Sequence, residues 1–155
     1  MGATRTLMTA KQLLDISNEG RSELVRGELV RMSPVGRVHG RLVVRLLSWL
    51  GPFVSERKAG EVVTEVGFVL SRHPDTVRAP DGSFMSSARL GAPDDDGFYE
   101  SAPDLAVEVL SPEDRPGKIQ EKIREYLAAG TDKVSANDLL PGFSFRPADL
   151  FGPGR

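Results

Sequence analysis

Two acidic residues and one lysine occupy positions from which they could carry phosphoryl chemistry. Glu108 interrupts the strand-like segment 104–110, on a face that it shares with Ala106 and Leu110. A carboxylate that leaves water in such a place needs a partner cation, hydrogen bonds or a metal. If the segment is an edge strand with that face exposed, Glu108 is simply solvated. The sequence leaves both interpretations open.

Asp81 and Lys122 are the other two candidates. Asp81 follows Pro80 at a predicted strand break, where it could also be only a turn former. Lys122 lies at the border of the buried stripe of a predicted helix, from which it can lean toward a neighbouring sheet. That stripe consists of Ile119, Ile123 and Tyr126. The alternative is a solvated lysine that pairs with Glu121 or Glu125.

These three residue types share a chemistry. Two carboxylates from neighbouring strands can hold Mg²⁺ or Mn²⁺, leaving water and phosphate oxygens in the remaining coordination positions. A lysine beside such an ion can orient or deprotonate an attacking water and offset the charge that develops on the phosphate. The order required is an Asp at a strand break, a Glu on the next strand and a nearby Lys.

The spacing of apolar residues predicts the elements that would position these side chains. Thr9 is a plausible N-cap for a short helix, and segment 23–32 reads as a hairpin hinged at Arg26 and Gly27. A longer helix covers 42–54, and Pro52 should kink or end it. From Glu61 onward the period changes to two, which is typical of strands. The predicted strands are 62–66, 68–70, 77–85 with a break at 80–82, and 104–110, followed by a helix from Gly117 or Lys118 to a C-cap at Gly130.

The order of elements, helix, hairpin, helix, strands and helix, indicates an α/β or α+β protein. The 155 residues suit a single domain over 1–155, with an irregular C-terminal tail over 131–155. The absence of cysteine excludes thiolate catalysis and cysteine-bound metal centres. No apolar run is long enough to span a bilayer and no signal peptide is visible, so we expect a cytoplasmic protein without a membrane partner.

The small net charge of -2 hides an asymmetry between the two halves of the chain. Residues 1–60 hold 10 Lys or Arg against 5 Asp or Glu, and residues 61–155 hold 10 against 17, which gives +5 and -7. Basic residues of the first half could contact DNA phosphates, although a solvated helix face is the alternative. The candidate contacts are Arg37, His39, Arg41 and Arg45.

Four segments, in order along nearly the whole chain, resemble the Uma-type putative restriction endonuclease family, a bacterial group with the PD-(D/E)XK nuclease fold. The segments are ELVRGELVRMSPVGRVHGRL, DTVRAPDGSF, SAPDLAVEVLSPEDR and KIQEKIREYLAAG. The resemblance implies a metal-dependent phosphodiesterase with Asp81 and Glu108 as metal ligands. The superfamily's usual lysine lies two residues after the acidic residue, where this chain has Leu110, and the family pattern points instead to Lys122. Glu23 matches a further acidic position that could bind metal or water, and a surface glutamate is the alternative.

The chain departs from the family pattern after the helix that ends in AAG. Relatives continue with a strand of the form V-x-x-V-W-V-V-D-P, and here residue 134 runs almost directly into the closing DLLPGF segment. This predicts an internal deletion after residue 134 and an exposed sheet edge beside the strand of Glu108. A homodimer, another partner or the tail itself could cover that edge.

The sequence thus predicts an α/β domain with a restriction-endonuclease-like core, a small mixed sheet flanked by helices, and truncated C-terminal strands. The expected activity is Mg²⁺- or Mn²⁺-dependent hydrolysis of DNA phosphodiester bonds. Asp81 and Glu108 would bind the metal, Lys122 would position water and Glu23 would assist. The alternative is a catalytically impaired or noncatalytic binding or assembly module of the same fold.

Overall fold

The computed structural model describes residues 6–91 and 96–132. The predicted deletion after residue 134 and nearly all of the predicted tail lie outside the described residues. The described helices are α1 (Ala10–Asp15), α2 (Arg37–Glu56) and α3 (Pro116–Ala128), with a short 3₁₀ helix at Ser17–Glu19. The described strands are β1 (Ser22–Val25), β2 (Glu28–Arg31), β3 (Gly60–Val63), β4 (Phe68–Ser71), β5 (Thr76–Arg78), β6 (Gly82–Ser86) and β7 (Leu105–Val107).

The strands form two antiparallel sheets, with strand orders β2-β1-β5-β4 and β3-β6-β7 in the described part of the chain. The predicted α/β class is confirmed, although the strands occupy two sheets where one small mixed sheet was expected. The predicted break at 80–82 explains the difference. The chain leaves the first sheet after Arg78 and enters the second at Gly82, so Asp81 lies where the two sheets meet.

The hairpin of β1 and β2 turns at Arg26 and Gly27, as predicted. Val25 pairs with Glu28, which leaves a two-residue loop. Both loop residues have positive φ, 51° and 78°, as in the type I′ turns that match the twist of paired strands. A Cβ at Gly27 would lie 2.7 Å from Cβ of Leu7, so the turn has no room for a larger residue.

Each sheet packs against its own helix through a separate apolar cluster. The first cluster joins α1 to the four-stranded sheet, and its buried members are Ala10, Leu13, Leu24, Val69 and Val77. The second joins α2 to the three-stranded sheet, and its buried members are Leu50, Val54 and Phe84. Two small cores therefore hold the sheets whose junction carries Asp81.

Helix α2 is longer than the predicted 42–54 and does not end at Pro52, one of the two outcomes expected there, since it continues to Glu56. Proline removes one backbone hydrogen bond from a helix interior. Leu50 and Val54, on either side of Pro52, are fully buried, so extending the helix buries apolar surface that offsets the lost bond.

Strand β7 is shorter than the predicted strand 104–110, because it ends at Val107. Beyond it, the backbone N–H of Val109 donates to Oδ2 of Asp81 at 2.7 Å. A side-chain carboxylate thus takes the place of a neighbouring strand as partner for this N–H. Glu108 therefore lies just past the strand end.

Helix α3 begins at Pro116, slightly earlier than predicted, with the proline in the first turn where its missing N–H costs nothing. It ends at the predicted glycine. Gly130 has φ +100°, and the N–H groups of Gly130 and Thr131 donate to the carbonyls of Leu127 and Tyr126, which is a Schellman motif. The predicted buried stripe is only partly confirmed, because Tyr126 is buried whereas Ile123 is 47% exposed.

Within residues 6–91 and 96–132, no helix combines the length and hydrophobicity that crossing a membrane requires.

Candidate active site

The four residues singled out from the sequence line one cleft of about 950 Å³. Glu23 comes from β1, Asp81 from the junction between the sheets, Glu108 from the end of β7 and Lys122 from the middle of α3. Four separate elements thus bring their charged groups to one place.

Lys122 lies between two glutamates. Its Nζ is 2.9 Å from Oε1 of Glu23 and 2.7 Å from Oε1 of Glu108, and its side chain is only 15% exposed. The alternative of a solvated lysine paired with Glu121 or Glu125 is therefore wrong. Glu121 contacts Arg26 and Lys118 instead, and Glu125 contacts Arg78.

The surroundings of Glu108 disfavour its ionised form. Burial raises its pKa, and the charges of Glu23 and Asp81 raise it further, although the Lys122 ammonium acts in the opposite direction. The hydroxyl of Tyr126 donates to Oε1 of Glu108 at 2.9 Å. Burial and the two glutamates also raise the pKa of Tyr126, so the phenol remains a donor. Glu108 is therefore a partly buried carboxylate with more negative than positive neighbours.

Glu23 is a buried member of the cleft, with 2% of its side chain exposed, which excludes the surface-hairpin alternative. Burial would raise its pKa, but Lys122, the N–H of Ala79 and Arg78 together hold it below the usual value. The Ala79 N–H donates to Oε1 at 2.9 Å and Nη1 of Arg78 lies 2.9 Å from Oε2. Both oxygens of Glu23 are thus occupied within the protein.

Asp81 is surrounded by donors. Nε2 of His39 lies 3.1 Å and Nη2 of Arg21 lies 3.2 Å from Oδ1, while Val109 N–H donates to Oδ2. The four basic residues predicted on α2 therefore have different surroundings. His39 faces Asp81, whereas Arg37 and Arg41 are exposed and Arg45 is half-buried.

Arg78, which was not predicted from the sequence, is 8% exposed and contacts both Glu23 and Glu125. Burial alone would lower its pKa, yet the two carboxylates raise it above its ordinary value. The cue was present, since Arg78 interrupts the buried residues Val77 and Ala79 in the same way that Glu108 interrupts its own segment. Arg21 was missed as well, and no local pattern distinguishes it.

Asp81 and Glu108 both line the cleft, and they are the carboxylates for which the sequence predicts a hard divalent cation. Among residues 6–91 and 96–132, no three His, Cys, Asp or Glu side chains converge into a ready-made metal centre. Mg²⁺ commonly binds to only one or two carboxylates and keeps water or phosphate oxygens as its other ligands. The pKa of Glu108 is raised first by burial and then by the charges of Glu23 and Asp81, and a nearby cation would favour its ionised form.

The fold and the site together define an α/β protein with a charged cleft at the junction of its two antiparallel sheets. A crystal structure described as "a putative nuclease belonging to DUF820" from Anabaena variabilis ATCC 29413 has the same fold, with a TM-score of 0.77. The match covers 93% of this chain and 97% of that chain at 18% identity. No curated protein matches the chain.

The family model Uma2, described as "Putative restriction endonuclease", matches residues 10–137. The chain therefore belongs to the Uma2 family, and the family resemblance predicted from its four segments is confirmed. Membership supports a nuclease-like function.

Proposed function

We propose that this protein is a metal-dependent endonuclease that hydrolyses phosphodiester bonds in DNA. The observation that carries the proposal is the position of Lys122, whose ammonium group lies between Glu23 and Glu108 in the cleft that Asp81 also lines. A cation and carboxylates from separate elements, gathered beside open space, are what phosphoryl transfer requires.

Asp81 and Glu108 would hold Mg²⁺ or Mn²⁺, which when bound supplies a Lewis acid for the phosphate and lowers the pKa of a bound water. Lys122 has three N–H donors, and Glu23 and Glu108 account for two of them. The third can donate to a water or to a phosphate oxygen. Glu23, with both oxygens occupied, assists by holding Lys122 in place.

Arg37 and Arg41 supply the substrate side of the proposal. Both are exposed in the first turns of α2, close in sequence to His39, which faces Asp81. Arginines in such a position can contact the DNA backbone without reading the bases. DNA bound across Arg37 and Arg41 would have a phosphate near the cleft.

The test is cleavage of a supercoiled plasmid by the wild-type protein, Asp81→Ala and Lys122→Ala, each with Mg²⁺, with Mn²⁺ and with EDTA. We expect nicking that requires metal and a loss of at least about 100-fold in each variant. Equal activity in all three proteins, or activity that EDTA does not reduce, would refute the proposal.

Metal binding is tested separately by calorimetric titration with Mn²⁺. Saturable binding by the wild-type protein that is lost in Glu108→Ala supports the assignment of the ligands. A wild-type protein that binds no Mn²⁺ contradicts it.

A noncatalytic assembly module is the second candidate function. The observation in its favour is apolar exposure beside the cleft, where Leu110 is 57% and Ile123 is 47% exposed. In addition, β7 is the outermost strand of its sheet within the described residues. This candidate predicts a sedimentation mass above that of the monomer and no effect of Mg²⁺ on stability.

A further inference from the structure

Helix α3 carries Lys122 but has little part in the apolar core. In the described part of the chain, neither apolar cluster has a member from α3. Of the helix residues only Tyr126 is buried, and Ile123 is exposed. A helix usually docks by burying an apolar face. Another kind of contact must therefore fix the position of α3.

Charged contacts take this role. Oε2 of Glu125 lies 2.6 Å from Nε of Arg78, and Lys122 contacts Glu23 and Glu108. Glu125 is three residues from Lys122, so the two side chains share one face of the helix. The pairs are shielded from water, since the side chains of Arg78, Glu125 and Lys122 are 8%, 20% and 15% exposed.

Arg78 is the residue that links these contacts. Its Nε donates to Glu125 on α3, and its Nη1 donates to Glu23 on β1. The rigid fork of a guanidinium can hold two carboxylates at once, whereas an ammonium is a single point charge on a flexible stem. Glu23 in turn contacts Lys122 through its other oxygen. Contacts therefore run from Glu125 through Arg78 and Glu23 to Lys122, so that they begin and end on α3.

We propose that Arg78 is a positioning residue, which anchors α3 through Glu125 and orients Glu23 so that the Lys122 ammonium is held against Glu108. The positioning of Lys122 stands on the contacts alone. Only its consequence for catalysis rests on the proposed nuclease function.

The helix offers a matched control. Glu121, one turn before Glu125, pairs with Arg26 and Lys118, whose side chains are 72% and 76% exposed. Exposed pairs of this kind contribute little to structure. Glu121→Gln and Glu125→Gln thus remove the same charge from the same helix, and only the second breaks a contact to Arg78.

The first measurement is the rate at which an amine-acetylating reagent modifies Lys122, read by mass spectrometry with Lys11 of α1, 84% exposed, as internal reference. Glu125→Gln should increase the Lys122 rate several-fold relative to Lys11, and Glu121→Gln should not. Arg78→Lys should act like Glu125→Gln. A Lys122 rate that stays at the wild-type value in folded Glu125→Gln overturns the proposal, whether or not the protein cleaves DNA.

The second measurement is DNA cleavage. Glu125→Gln should lower kcat about tenfold or more while KM changes little, because a misplaced lysine affects the reaction more than binding. An unchanged kcat in an active enzyme also overturns the positioning role. If the wild-type protein cleaves no DNA, the proposed function fails, and the acetylation rates still decide the role of Arg78.

Discussion

Glu23 and Glu108 share one ammonium group, yet their pKa values move in opposite directions. The pKa of Glu23 is lowered because Lys122, the Ala79 N–H and Arg78 outweigh its burial. The pKa of Glu108 is raised because burial and two neighbouring carboxylates outweigh Lys122. Glu23 therefore stabilises the fold in its ionised form, and the ionised form of Glu108 destabilises it.

The isosteric variants Glu23→Gln and Glu108→Gln should differ in their effect on the free energy of unfolding. At pH 7 with EDTA, Glu23→Gln should lower the free energy of unfolding by roughly 3 kcal/mol, since it leaves buried cations without their partner. Glu108→Gln should leave it within about 1 kcal/mol or raise it. Urea denaturation measures both. Equal losses in the two variants would contradict the opposite pKa shifts.

The two pKa shifts also predict how the free energy of unfolding depends on pH. The stability contributed by Glu23 is present above pH 4.5 and lost as pH falls through its lowered pKa. The penalty from Glu108 appears as pH rises above 4.5 through its raised pKa, so the advantage of Glu108→Gln should grow from acid toward neutral pH.

Among individual residues, the sequence predicted those in the cleft that interrupt an apolar pattern or match a family segment. Asp81, Glu108, Lys122 and Glu23 all line the same cleft. Their partners escaped prediction because the contacts join distant parts of the chain. Arg78 and Glu125, for example, are 47 positions apart, and no local period encodes such a pair.

Among the elements, α2 extends beyond the predicted 42–54 at both ends and runs through Pro52. The proline is exposed, so Pro52→Ala removes little packing and restores a helical N–H. We expect thermal unfolding to show a gain of about 1–2 kcal/mol, below the full helix penalty of proline because the unfolded chain also gains freedom. A loss of stability would mean that the proline fits this helix better than we infer.

Helix α1 is tied to the first sheet by a buried carboxylate. Oδ2 of Asp75 accepts the Ala10 N–H at 2.7 Å, and Arg72 lies 3.0 Å away. Burial raises the pKa of Asp75, but the N–H groups of Ala10 and His73 and the charge of Arg72 hold it below 3.8.

The contribution of Asp75 to stability is therefore present above pH 3.8 and lost as pH falls through its lowered pKa. Asp75→Asn should be less stable than wild type at pH 7, and the difference should shrink below pH 3.8. Urea midpoints across this pH range measure the effect. A difference that does not depend on pH would show that Asp75 acts through shape rather than charge.

Local sequence patterns predicted the ends of elements well where they indicate a specific turn or cap. The Arg26 and Gly27 hinge, the Thr9 cap and the Gly130 C-cap all lie where expected. The division into two sheets was not predictable in this way. A strand break looks the same in sequence whether the chain re-enters its sheet or crosses to another, and here it crosses at Asp81.

For the whole molecule, the charge asymmetry of the sequence does not translate into two separate surfaces. Ion pairs cross between the basic and acidic halves, and they lie largely at the cleft. They include Arg21 with Asp81 and Glu65, Arg26 with Glu121, and Glu23 with Arg78 and Lys122. In the proposed function, the exposed arginines at the start of α2, Arg37 and Arg41, contact the DNA backbone.

We propose that Lys122, carried by helix α3, acts beside a metal site formed by Asp81 and Glu108. The most direct measurement is the single-turnover rate of DNA cleavage in saturating Mg²⁺ for wild type, Lys122→Met and the matched variant Lys118→Met. We predict a loss of at least about 100-fold for Lys122→Met and a change within about threefold for Lys118→Met. Equal rates for the two variants, or a wild-type protein that cleaves no DNA, would contradict the claim.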